Sequence, residues 1–86
     1  MASYRLVWKR SAEKELRELP KEAVSRLVGM AEELADDPFP QGARKLAGTE
    51  HTYRLRSGDY RLIYTVERGR LVVEVVRVAH RKEAYR

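Results

Sequence analysis

Four arginines and one tyrosine in the second half of this 86-residue chain have the types and spacing to grip a phosphodiester. Arg54 and Arg56 stand two residues apart in an alternating stretch, so on a strand both side chains leave the same face. Arg61 lies just beyond a tight turn and projects beside them where the polar faces coincide. Arg81 follows the longest apolar run, with Tyr85 four residues on and able to fold back. A guanidinium is a planar fork that meets phosphate oxygens bidentately and stays charged at any working pH. Converged with a phenol, such groups form a cradle for a bent phosphodiester and can stabilise extra charge on phosphorus. The plain alternative is that Arg54 and Arg56 only solvate the outer face of a half-buried sheet, since alternation alone produces that pattern.

The two histidines carry less. Histidine is the side-chain type usually chosen for acid–base chemistry on RNA, which singles out His80 for weighing. In strict alternation, however, it points away from Arg81 and alongside Val78, which favours a packing role. His51 sits near a turn and gives a weaker signal still. Tyr53, Tyr60 and Tyr64 share one face and read as core, as does Trp8. With no cysteine, the chain has no disulfide framework, thiolate nucleophile or sulfur-ligated zinc. Two histidines without clustered carboxylates give no reason to expect a catalytic metal. No glycine-rich phosphate loop, paired-carboxylate site or nucleophile elbow is present, and no cofactor is expected.

Charge points to the same half of the chain. The formal net charge is +5. Residues 1–43 hold 7 basic and 8 acidic side chains, whereas residues 44–86 hold 11 basic and 5 acidic ones. Nine of those 11 are arginine. Segregation of this kind favours a polyanion, with nucleic acid the leading partner class. No apolar run approaches the roughly 18 residues needed to span a bilayer. The N-terminal segment also lacks a secretory apolar stretch, so a cytoplasmic protein without a membrane partner is expected.

These residues need a frame. Residues 4–8 are short, β-branched and aromatic, and predict a strand. Ser11 then reads as an N-cap for a helix over residues 12–19, which Pro20 interrupts, tolerated as it is where a new helix begins; the second helix covers about residues 21–35. Ala23, Val24, Leu27, Val28, Ala31 and Leu34 give that helix its apolar spacing. The run from Asp36 to Gly42 ends it. Strands are predicted over residues 52–57, 60–67 and 71–79, joined at Ser57-Gly58-Asp59 and Arg68-Gly69-Arg70. Glu74 and Arg77 are an odd number of residues apart, which calls for a bulge or a two-sided environment in the last strand. The whole is a single domain over residues 1–86, α+β in class, with order β-α-α-β-β-β and a helical hairpin packed on a mostly antiparallel sheet.

At these residues the sequence resembles the RelE/ParE superfamily of toxins from toxin–antitoxin pairs, over nearly the whole chain. The opening Tyr-Arg-Leu-Val-Trp strand with Lys14 and Leu16 after it is similar to the family's start. Lys45-Leu46-Ala47-Gly48 is similar to its K-L-x-G element. Residues 53–64, Tyr-Arg-Leu-Arg-Ser-Gly-Asp-Tyr-Arg-Leu-Ile-Tyr, match its most diagnostic run. The close, His80-Arg81-Lys82-Glu83-Ala84-Tyr85-Arg86, resembles that of the RelE branch.

The resemblance implies a fold distantly like that of microbial ribonucleases, and an endoribonuclease that cuts messenger RNA in the ribosomal decoding site. In that chemistry the 2′-hydroxyl attacks the adjacent phosphate. Carried over by position, Arg61, Arg81 and Tyr85 are the catalytic residues, and Lys45, Arg54, Arg56, His80 and Lys82 contact RNA. Implied partners are a cognate antitoxin, the ribosome and its messenger. Arg54 and Arg56 stand where family members often have lysine, and a guanidinium cannot deprotonate a hydroxyl. The base is then left among Tyr85, His80, Lys82 and groups of the RNA or ribosome. Two other readings stay open: a ParE-like inhibitor of DNA gyrase, and an RNA- or ribosome-binding module without catalysis.

Overall fold

A computed structural model describes residues 3–80. Its five strands and two helices follow in the order β1 (Arg5–Trp8), α1 (Arg10–Arg17), α2 (Lys21–Asp36), β2 (Arg44–Lys45), β3 (Thr52–Ser57), β4 (Tyr60–Glu67) and β5 (Val72–His80). The sheet order is β1-β5-β4-β3-β2. β1 runs parallel to β5, and every other neighbouring pair is antiparallel. The α+β class and helical hairpin are as expected, with one strand more than the sequence pattern predicts. That strand, β2, is two residues long and too short to show any alternation.

Ser11 does not cap α1. The cap position belongs to Lys9, whose N–H donates to the Val75 carbonyl at 2.9 Å while its own carbonyl accepts the Glu13 N–H at 3.0 Å. A tie to the sheet therefore starts the helix earlier than the local capping signal would. α2 begins at Lys21 as expected, with Pro20 at its cap, and the Pro20 carbonyl accepts the Val24 N–H. Ala23, Leu27, Ala31 and Leu34 form the buried stripe of α2 at helical spacing. Val24 and Val28 are only half-buried at its margin. Against this stripe pack Leu62, Tyr64 and Val66 of β4 and Val73, Val75 and Val78 of β5. Fully burying a side chain such as Leu27 contributes roughly 1.5–3 kcal/mol.

The expected irregularity in β5 is a bulge. Ile63 pairs with Arg77 and Tyr64 with Val75, so Val76 is the extra residue. It brings Glu74, partner of Thr65, and Arg77 to the same face of the sheet. Among the described residues no helix is long and apolar enough to cross a membrane.

Candidate nucleic-acid interface

The arginine face is built by strand register. Gly58 has φ +59° at the first central position of the β3–β4 hairpin, where two-residue turns reserve positive φ for glycine. This turn pairs Ser57 with Tyr60 and sets Arg56 directly opposite Arg61. Two residues back, Arg54 is opposite Arg44 of β2. Cross-strand partners share a face, so Arg44, Arg54, Arg56 and Arg61 lie together on the side away from the helices. Arg44 was not singled out from the sequence, because its place follows only from the two-residue strand. Its neighbour Lys45, in the Lys45-Leu46-Ala47-Gly48 motif, is paired with Tyr53 instead.

Burial grades across this face. Arg44 and Arg56 are exposed and Arg54 is half-buried. Arg61 is only 4% exposed and stands opposite Ala79. Arg44, Arg54 and Arg56 line an open cleft of about 690 Å³ with Gln41, Gly42 and Leu55. Its far wall is placed by the core: the buried Tyr64 hydroxyl donates to the Pro38 carbonyl at 2.8 Å, pinning the segment that leaves α2. Burial, aided by Tyr53 and Asp37, pushes the Tyr64 phenol up to about 12, so it remains a donor across the neutral range.

Other expected site residues lie elsewhere. Lys45 is the partner of Tyr53 and so stands on the helix-facing side, apart from the arginines. His80 pairs with Tyr60 on that side too, and its ring meets the Tyr60 ring edge-on at 5.3 Å and 88°. Such packing agrees with the alternation argument. Arg81, Lys82 and Tyr85 lie outside the described residues. Within them, no group of three or more His, Cys, Asp or Glu side chains is arranged to hold a metal ion. What the face can do is bind a polyanion and stabilise charge on a phosphate held against it.

Two like-charge pairs across adjacent strands weaken the sheet that carries them. A fold that needed only a soluble outer surface would be better served by mixed signs, so the arrangement points to an anionic partner.

Comparison with known proteins places the chain in a family. A family model described as the ParE toxin of the type II toxin–antitoxin system, parDE, matches residues 6–85. The chain is similar to Toxin RelG of Mycobacterium tuberculosis, at 34% identity over 80 residues and 88% of each sequence. Among solved structures, it superposes on the archaeal RelE–RelB complex from Pyrococcus horikoshii with a TM-score of 0.82 at 32% identity, covering 92% of this chain and 96% of the other. The isolated RelE toxin of E. coli gives 0.81 at 30% identity, covering 96% and 92%. This chain therefore belongs to the RelE/ParE superfamily of type II toxin–antitoxin toxins, on its RelE-like branch.

Proposed function

We propose that the protein is a ribosome-dependent messenger-RNA endonuclease that arrests translation and is held inactive by a cognate antitoxin. The observation that carries the proposal is the register that puts Arg44 opposite Arg54 and Arg56 opposite Arg61 on one sheet face. The names of the similar proteins support the antitoxin partner, because RelE chains occur in complexes with RelB.

In the proposed reaction the 2′-oxygen attacks the adjacent phosphorus as its proton leaves to a base. The bond from phosphorus to the 5′-oxygen then breaks and that oxygen takes up a proton. The products are a 2′,3′-cyclic phosphate and a 5′-hydroxyl. Arg61, with Arg81 and Tyr85 from the C-terminal segment, stabilises the pentacovalent phosphate and orients the nucleotide. Arg54, Arg56 and Arg44 hold the flanking backbone. None of the guanidiniums is the base. Catalysis by positioning and charge stabilisation needs a substrate held bent by something large, and the ribosome does this.

The test adds purified protein to a cell-free translation reaction and maps messenger 5′ ends, with Arg81→Ala in parallel. New ends that need ribosomes and vanish in the variant support the proposal. Intact messenger with inhibited supercoiling by DNA gyrase would replace it with the second reading, which the ParE name of the matching family model favours.

A further inference from the structure

Behind the arginine face, on the helix-facing side of the sheet, a series of flat groups runs from the core to solvent. Tyr64, fully buried, stacks on Tyr53 at 5.9 Å and 24°. Tyr53 meets Phe39 edge-on at 5.2 Å. The exposed Arg68 covers the Phe39 ring, its guanidinium carbon 4.8 Å from the centroid. Phe39 is 37% exposed, one of two large apolar side chains at the surface of the described residues. Beside this series lies a pocket of about 350 Å³, within the range of small-ligand sites. Lys45, Glu50 and His51 join Phe39, Tyr53 and Arg68 in its lining.

We infer that this pocket is a second RNA contact, which takes one unstacked nucleotide. Bases stack on aromatic rings and on guanidinium planes, and Arg68 over Phe39 supplies both as one platform. Lys45 and Arg68 are the cations for the nucleotide's phosphate. The Glu50 carboxylate accepts a hydrogen bond from a ribose hydroxyl or an exocyclic amine. An acidic peptide would use the cations but not the flat platform, and it would meet Glu50 as a like charge. Lys45 keeps its expected role as an RNA contact, but on a face separate from Arg44 and Arg54. The inference rests on the RNA-directed function proposed above and deepens it: the cut strand lies on the arginine face, while a splayed nucleotide of structured RNA is held on the other.

The experiment titrates ¹⁵N-labelled protein with 5′-AMP, adenosine, inorganic phosphate and a glutamate-rich peptide, in the unmodified chain, Arg68→Ala and Arg56→Ala. We expect 5′-AMP to shift the amides of His51, Tyr53 and Gly69. Arg68→Ala weakens that response by about tenfold, and Arg56→Ala leaves it unchanged. Adenosine and phosphate alone each bind at least about tenfold more weakly than 5′-AMP, since each supplies half of the contact. Shifts confined to residues 54–56, phosphate shifting the amides of His51, Tyr53 and Gly69 as tightly as 5′-AMP does, or a response of those amides to the peptide alone would each overturn the inference. Both substituted positions are exposed, and the amide spectrum itself shows whether each variant is folded. Because no ribosome enters this experiment, 5′-AMP binding here without messenger cleavage would uphold the site and remove the nuclease reading.

Discussion

Glu15 on α1 holds the backbone of Val78 on β5: its Oε1 accepts the Val78 N–H at 2.8 Å. The other carboxylate oxygen lies 3.6 Å from the Arg77 Nε. β1 covers the outer edge of β5 only as far as the Trp8–Val75 pair. Beyond that point the edge has no strand neighbour among the described residues, and α1 packs along it instead. The carboxylate thus replaces a missing strand where β5 approaches His80, just before Arg81. An unpaired edge donor is costly when buried and invites association when exposed.

Replacing Glu15 by alanine leaves the Val78 N–H without its acceptor. The expected loss of stability is about 1–3 kcal/mol, read from urea unfolding. Glu15→Gln keeps a carbonyl oxygen at the same reach and restores most of the loss. Amide exchange at Val78 should quicken in the alanine variant more than exchange at Val73 or Val75. Equal stability of the alanine variant and the unmodified chain would show that water substitutes fully for the carboxylate.

Arg44 and Arg54 set binding against stability. Arg44→Gln removes a like-charge cross-strand pair, so the folded state gains up to about 1 kcal/mol and Tm rises by a few degrees. The same change removes one phosphate contact, so ribosome association weakens and its dependence on log salt flattens by about 1 unit of slope. A lower Tm with an unchanged salt slope would contradict the arginine-face account.

The Tyr64 phenol makes stability fall in alkali. Its pKa is raised from 10.0 to about 12 in the folded state, by burial first. The unfolded chain therefore ionises first as pH rises. Stability from this group is fully present below pH 10 and declines as pH climbs toward 12, by about 2–3 kcal/mol in all. Tyr64→Phe loses the hydrogen bond to Pro38, at a cost of about 1 kcal/mol at pH 7. In exchange, the variant's unfolding midpoint should drop less steeply than the parent's above pH 10. Parallel curves for the two proteins would rule this out.

The elements that could be read from the sequence are those with long periodic signals. The α2 stripe, Ala23 to Leu34, spans about three turns, and the alternation in β3 and β4 places Arg54, Arg56 and Arg61 on one face. Glu74 and Arg77, an odd distance apart, call for either a bulge or a two-sided environment, and of the two the strand has the bulge. What escaped depended on contacts between distant segments. The start of α1 is set by Lys9 bonding to Val75, and Arg44 enters the site only by pairing with Arg54. The burial of Arg61 is likewise a property of the assembled sheet, where it stands opposite Ala79, and not of any local window. The parallel pairing of β1 with β5 is equally non-local.

The central claim is that the messenger's own 2′-hydroxyl is the nucleophile on a site of fixed positive charge. The most direct measurement is single-turnover cleavage of messenger bound to programmed ribosomes, comparing an all-ribose strand with one carrying a single 2′-deoxynucleotide at the cut position. The account predicts a 2′,3′-cyclic phosphate product from the first strand and no cut at that position in the second. Equal cleavage of both strands, or a product ending in a 3′-hydroxyl, would contradict it.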